Sequence, residues 1–266
     1  MSKQARWSKL LELLAVEGKL DVEEAAAAVA VSAATIRRDL DELAEQRLLV
    51  RTRGGAIGHG VSYELPLRYK SSRRAAEKQR IANAVADLLS VGDVVGLNGG
   101  TTTTEVARAL VLRAGTGPAE AGEAPSGPMY TVVTNALNIA GELAVRPQFK
   151  IVVTGGVARP QTYELVGPLA AGVLNDVVLD VVVLGVDGID PQLGVMTMQE
   201  DEAGISRLFT ERARKVVLAT DSSKVGKRAF ARICDLNRID VIVTDADLAP
   251  DMASRLTEAG IEVVTV

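Results

Sequence analysis

Two sets of residues in this 266-residue chain have types and spacings that could do chemistry. The first is Ser32, Thr35, Arg37 and Arg38, followed at short range by Arg51 and Arg53. Guanidinium groups bind phosphates and base edges, and hydroxyls bind phosphate oxygens, so this set suits double-stranded DNA. The second comprises Asn98, Gly99, Gly100, Thr101, Thr102, Thr103, Asn135, Gly155, Gly156, Asp187, Gly188 and Lys224. It offers backbone N–H groups bared by glycine, hydroxyls, an amide, a carboxylate and an ammonium, which suit a small phosphorylated polyol. Neither set contains a nucleophile paired with a base. His59 and Cys234 are the sole histidine and cysteine, which excludes a Cys/His zinc cluster and a disulfide framework. The 98–104 stretch lacks the lysine and spacing of a P-loop, so a nucleoside triphosphate is not expected, nor is any metal or cofactor.

The first set needs a helix with two faces. Ile36, Leu40 and Leu43 recur at i, i+4 and i+7, which gives one buried side, and Ser32 stands where an N-cap belongs. Thr35, Arg38 and Glu42 fall on another face, with Arg37 and Asp41 near it. Such a helix fits a major groove; it also fits a surface helix whose arginines pair with acids, Arg37 with Asp41 at i,i+4. Its neighbours favour the groove. Residues 3–17 carry Trp7, Leu10, Leu11 and Leu14 at helical spacing and end at Gly18. Asp21 caps a second helix, 22–29, with Glu24 placed as in a capping box. A short turn, Ala30-Val31, leads into the third helix, which completes a helix-turn-helix pattern. Beyond it, 48–57 reads as two short strands returning at Gly54-Gly55. This makes a wing on which Arg51 and Arg53 share a strand face.

The second set needs a parallel sheet. From about residue 75 helices alternate with strands at 94–97, 130–133, 150–153, 178–184, 215–219, 240–244 and 262–266. Runs such as Val181-Val182-Val183-Leu184 are continuously apolar, as strands buried on both faces are. The candidate residues all follow strand ends, where open α/β sheets bind ligands. The expected organisation is therefore a winged helix-turn-helix over 1–58, a linker over 59–73 and a mostly parallel α/β domain over 74–266. His59 falls in the linker without chemistry. Arg68, Lys70, Arg73, Arg74, Lys78 and Arg80 read as a solvated helix face rather than DNA contacts. Residues 114–128, rich in Gly, Pro, Ala and Glu, read as a surface-loop insertion.

Charge is unevenly placed. Residues 1–80 carry a balance of +4 and residues 81–266 one of −8, for a net −4. A basic front on an acidic back fits a nucleic-acid reader joined to a different module. The polar N-terminus and the lack of a long apolar run point to a cytoplasmic protein and no membrane partner.

Eight stretches carry a resemblance. Leu20–Ala26, Val31–Leu40 and Arg53–Ala56 resemble the DeoR-type bacterial transcriptional regulators, most specifically through Thr35-Ile36-Arg37-Arg38-Asp39-Leu40. The resemblance implies a winged helix-turn-helix on operator DNA. Gly100-Thr101-Thr102, Val133–Leu137, Gly155-Gly156, Val186–Asp190 and Asp221–Lys224 are similar to that family's effector domain. They imply a fold related to ribose-5-phosphate isomerase that senses sugar phosphates. Ala30 departs from the usual turn glycine and strains the turn if its φ is positive. Arg47 and Arg53 replace a glycine and a histidine and add charge toward DNA. Asn98-Gly99 replaces the commoner Asp-Ser.

The reading that follows is a repressor of a carbohydrate operon. It binds DNA as a homo-oligomer, dimer or tetramer, because helix-turn-helix operators have paired half-sites. A phosphorylated sugar releases or modulates it. The alternative is a sugar-phosphate isomerase with a DNA-binding appendix, its base Asp187 or the run Glu200-Asp201-Glu202. Those acids equally suit the start of the helix that follows. In a third reading the α/β half only oligomerises.

Overall fold

A computed structural model describes residues 2–46, 48–58, 67–70, 73–115 and 127–266. Most of the expected linker, with His59, lies outside the described residues, as do Arg47 and 116–126 of the expected insertion. The chain divides into two units, Met1–Arg73 and Arg74–Val266.

In the first unit α1 (Lys3–Glu17) starts at Ser2, whose hydroxyl accepts from Ala5 N, and stops at Gly18 with φ +73°. Strand β1 (Lys19–Asp21) leads into α2 (Val22–Val29), and the Asp21 carboxylate caps it by accepting from Glu23 N at 2.8 Å and Glu24 N at 3.3 Å. Ala30 closes α2 with φ +54°, the left-handed turn that the sequence marks as strained for alanine. Ser32 caps α3 (Ala33–Glu45) by accepting from Thr35 N. The wing consists of β2 (Val50–Arg51) and β3 (Gly55–Ile57). Its sheet has three strands, ordered β1-β3-β2 and antiparallel, not two. β1 escapes sequence reading because its alternation, Leu20 buried between exposed Lys19 and Asp21, lasts three residues. Gly55 is required there: a Cβ would stand 1.7 Å from the Leu20 carbonyl oxygen. Trp7, Leu10, Leu11, Leu14, Ile36, Leu40 and Leu43 form one core, joined by Tyr69 from α4 (Leu67–Lys70), a helix turn within the expected linker.

The second unit opens with α5 (Ala75–Asp87), β4 (Val94–Leu97), α6 (Thr101–Gly115), β5 (Tyr130–Thr134), α7 (Leu137–Leu143) and β6 (Phe149–Val153). A hairpin of β7 (Val157–Ala158) and β8 (Leu165–Val166) precedes α8 (Pro168–Asn175) and β9 (Leu179–Leu184). Then come β10 (Gly188–Asp190), β11 (Gly194–Thr197), α9 (Glu200–Arg212), β12 (Ala213–Ala219), β13 (Ala231–Cys234), β14 (Val241–Thr244), α10 (Pro250–Glu258) and β15 (Glu262–Thr265). Seven strands form one sheet ordered β15-β14-β12-β9-β4-β5-β6, and every pairing in it is parallel. Val181 and Val183 point into one core with α5 and α6, whereas Val182 and Leu184 point into another with α8 and α9. Burial on both faces is why β9 reads as an unbroken apolar run.

The chain lays down β4, β5 and β6 outward in one direction, then returns to place β9 on the other side of β4. Strand order therefore reverses between β4 and β9, and open α/β sheets bind ligands in the crevice outside such a switch point. The small antiparallel sheet β10-β11-β13 and the β7–β8 hairpin were not anticipated; their strands are two to four residues long. No helix among the described residues is long and apolar enough to cross a membrane.

Candidate functional sites

On α3 the apolar back is complete: Ile36, Leu40 and Leu43 are fully buried. Arg38 is exposed and makes no ion pair or hydrogen bond among the described residues. Ser32 and Thr35 sit at the start of the same helix with their hydroxyls 2.9 Å apart. Arg37 is exposed but does not pair with Asp41; its guanidinium reaches Glu23 on α2 at 3.2 Å. Asp41 is held instead by Arg51 Nε at 2.7 Å. Arg51 also donates to the Gly55 carbonyl, so this arginine ties the wing to α3. The two wing arginines do not share a strand face, because β2 ends at Arg51 and Arg53 lies exposed in the turn beyond it. A turn bond from Thr52 N to the Gly55 carbonyl at 3.1 Å closes the return directly after β2.

Asp39, on the buried side of α3, was missed. Its carboxylate accepts from Arg6 Nε, from Arg6 Nη2 at 2.9 Å and from Trp7 Nε1 at 2.9 Å. Burial alone would push this carboxyl up, but the Arg6 and Trp7 hydrogen bonds outweigh it and hold it below its ordinary range. The signal was an acid between Ile36 and Leu40 on the apolar side.

In the second unit the strand exits flank the switch point. Asn98, after β4, is buried; its Nδ2 donates to Gly185 O at 2.9 Å and its Oδ1 accepts from Gly185 N at 2.8 Å. With a further bond from Nδ2 to Ser206 Oγ, this amide braces the β4 exit to the β9 exit rather than standing free for a ligand. Thr103 and Thr104 donate their hydroxyls to the Gly100 carbonyl at 3.2 and 2.6 Å. Thr103, expected as a hydroxyl donor to an anion, therefore secures the first turn of α6. Thr101 is half-buried and Thr102 buried at that turn. Asn135, after β5, is fully buried and donates from Nδ2 to Glu164 Oε2 at 3.0 Å and Leu165 O at 3.2 Å. Gly156 lets the β7–β8 hairpin pass, since a Cβ there would meet the Val166 carbonyl at 2.8 Å. Gly155 and Gly156 thus launch the hairpin. Gly188 packs on the Lys227 backbone.

Asp187 and Lys224 do meet, Oδ1 to Nζ at 3.5 Å. The other oxygen of Asp187 accepts from Thr197 Oγ1 at 3.0 Å and Met198 N at 3.1 Å. From Thr197 the network continues to Glu202 Oε2. Glu202 Oε1 accepts from Thr162 at 3.0 Å and pairs with Arg159 Nε at 3.0 Å. Glu200 and Asp201 occupy the first turn of α9 with Glu202, where carboxylates suit the helix dipole. Arg159, Thr162 and Glu164 all lie on the loop between β7 and β8, which was not foreseen. That loop carries a buried carboxylate, Glu164, onto Gly99. A Cβ at 99 would fall 2.2 Å from Glu164 Cγ, so any larger residue there would push the Glu164 side chain aside. The one sequence signal for Glu164 was an acid framed by Tyr163, Leu165 and Val166.

Arg74 is no part of a solvated face. It caps α5 in the left-handed conformation, and its guanidinium reaches Asp245 at 2.9 Å and Asp247 at 2.8 Å, beyond β14, with Asp221 at 3.8 Å. Burial would push the Asp245 carboxyl up, yet bonds from Ser222 and Asp247 N and the Arg74 charge hold it below its ordinary range. Lys78 is buried as well. Burial pushes the Cys234 thiol up to about 11, so it is no thiolate at neutral pH. Among the described residues no group of three His, Cys, Asp or Glu side chains is arranged to hold a metal ion.

Comparison with known proteins agrees with this division. Residues 6–58 match the DeoR-like helix-turn-helix domain, and residues 73–246 match the DeoR C terminal sensor domain. The chain belongs to the DeoR family. This DeoR-family chain is accordingly a DNA-binding transcriptional regulator with a sensor domain. It is 34% identical over 264 residues to the putative aga operon transcriptional repressor of Escherichia coli O157:H7, covering 98% of this chain and 93% of that one. It is 31% identical over 262 residues to the glycerol-3-phosphate regulon repressor of Escherichia coli strain K12, covering 98% of each. Among solved structures, a ribose 5-phosphate isomerase from Methanocaldococcus jannaschii superposes on 56% of this chain and 53% of its own. The TM-score is 0.40 and the identity 16%.

Proposed function

We propose that the protein is a repressor of a carbohydrate-metabolism operon, released from its operator by a phosphorylated sugar bound at the switch point of the seven-stranded sheet. Residues 1–58 form the DNA-binding part, 59–73 the linker and 74–266 the effector-binding part. Arg38 reads a base edge in the major groove; Ser32, Thr35 and Arg53 meet the duplex beside it. Arg37 joins them by leaving Glu23, and Arg51 contributes while remaining tied to Asp41. At the effector site the backbone of 99–102, Asn135, Asp187 and Lys224 surround the ligand. Asn98, Thr103, Gly155, Gly156 and Gly188 shape that site without touching the ligand. The active species is a cytoplasmic homo-oligomer, dimer or tetramer, since paired half-sites require paired helices.

The observation that carries the reading is Arg38: an exposed guanidinium, unpaired among the described residues, on a helix whose opposite side is fully buried, adjacent to arginine-binding Asp39 but outside its reach. Its test is a gel shift on DNA from the region upstream of the protein's own gene. Arg38→Ala is expected to weaken specific binding by about 1–3 kcal/mol. Equal affinity and an equal salt dependence in Arg38→Ala and wild type would remove the recognition role. Incubation with sugar phosphates is expected to give binding and no product, as for a sensor.

A further inference from the structure

The side-chain amide of Asn135 has an orientation that chemistry fixes. Both groups near Nδ2, the Glu164 carboxylate and the Leu165 carbonyl, are acceptors only, so the NH2 must face them. The oxygen is therefore on the other side. There Oδ1 is buried with no hydrogen-bond partner, on a residue with no exposed surface. A buried amide oxygen left unpaired costs roughly what a lost hydrogen bond costs, and native structures rarely leave one so without a reason. On the NH2 side lies Glu164, itself buried, its side chain laid against Gly99 where any other residue would put a Cβ. Asn135 follows β5 and Gly99 follows β4, adjacent strands at the ligand-binding edge. The two sides of this amide thus hold a carboxylate and an unpaired amide oxygen, both acceptors, and a carboxylate repels an anion. Together they call for a ligand that donates.

We infer that Glu164 and Asn135 Oδ1 form the hydroxyl-reading end of the effector site, so that the effector is a phosphorylated polyol held there by two neighbouring hydroxyls. This rests on the effector reading above and adds to it the residue that sets specificity. The phosphate lies away from Glu164, toward Lys224. Glycine at 99 serves by admitting the Glu164 side chain.

The test uses the full chain and calorimetric titration with glucose 6-phosphate, galactose 6-phosphate, fructose 6-phosphate, ribose 5-phosphate, glycerol 3-phosphate and inorganic phosphate. The tightest binder is then compared with its deoxy counterparts, each lacking one hydroxyl. Wild type is expected to prefer the complete polyol phosphate over at least one deoxy counterpart by about tenfold or more, because the missing hydroxyl leaves the buried Asn135 Oδ1 unpaired. Glu164→Gln, and Gly99→Ala, whose methyl displaces the Glu164 side chain, should reduce that preference to about threefold or less. The same preference in folded Glu164→Gln as in wild type overturns the inference while leaving the effector reading standing. If both variants fail to fold, the wild-type ratio decides: equal affinity for every deoxy counterpart overturns it. Failure of wild type to bind any of the sugar phosphates would sink the effector reading itself, and this inference with it.

Discussion

Arg38 and Asp39 are neighbours on α3 with opposite fates. Arg38 faces solvent unpaired, and Asp39 is buried against Arg6 and Trp7. Removing the Asp39 carboxylate leaves a half-buried guanidinium and a buried indole N–H without that partner. Asp39→Ala is therefore expected to destabilise the first unit by about 1–3 kcal/mol, read as an early melting step in urea or heat. Arg38→Ala should leave melting unchanged, which separates the two roles. The arginines were legible in the sequence because helical spacing alone sorts them from Ile36, Leu40 and Leu43. Their partners were not. Local logic pairs Arg37 with Asp41 one turn away, but α2 brings Glu23 to Arg37 and the wing brings Arg51 to Asp41. Such contacts join residues 10 to 14 apart and depend on packing that no single helix encodes.

At the scale of elements, caps and turns carry much of the information. Ser2, Asp21 and Ser32 each begin a helix by accepting backbone N–H groups, and Gly18 ends one. Ala30 is the exception, a residue with a Cβ held at φ +54° between α2 and α3. Ala30→Gly is expected to raise stability by about 1 kcal/mol, the left-handed penalty of alanine less the extra freedom glycine gives the unfolded chain. A lowered melting temperature would mean that the Ala30 methyl packs usefully. The long helices and the apolar parallel strands were readable within a residue or two because burial repeats along them. The β7–β8 hairpin was not: each strand has two residues, and its loop is polar. Yet this hairpin loop supplies Arg159, Thr162 and Glu164. The candidate site was thus half legible. Strand exits named Asp187, Lys224 and Asn135, and the acidic run named Glu202, whereas Glu164 needed the fold. Asn98 and Thr103 stood in the right place but brace the backbone.

At the scale of the molecule, the strand order sets which exits flank the reversal between β4 and β9, and only the fold gives it. Sequence reading put five polar exits on one edge; the reversal between β4 and β9 selects among them. The same edge makes stability pH-dependent. Asp245 is held below its ordinary range against opposing burial, chiefly by Ser222 and the Asp247 N–H with Arg74 near. Asp190 is lowered first by the Arg228 hydrogen bond and then by Gln192 and Leu193 N–H. Asp39 behaves likewise in the first unit. Groups whose folded pKa is depressed stabilise above their unfolded value, about 3.9 for aspartate, and lose that contribution as pH falls through the folded value. The melting temperature should be level from about pH 7 to 5 and drop below about pH 4. Asp245→Asn should flatten the drop in the second unit; an unaltered drop would show that other carboxylates govern it.

The central claim is that one chain couples DNA to a sugar phosphate. The most direct measurement is fluorescence anisotropy of labelled upstream DNA titrated with the full protein, with and without a saturating sugar phosphate chosen by calorimetry. The account predicts weaker DNA binding in the presence of ligand, by about 1–3 kcal/mol of coupling, and the same factor in ligand affinity when DNA is present. DNA affinity that does not change when the sensor domain is saturated would contradict it.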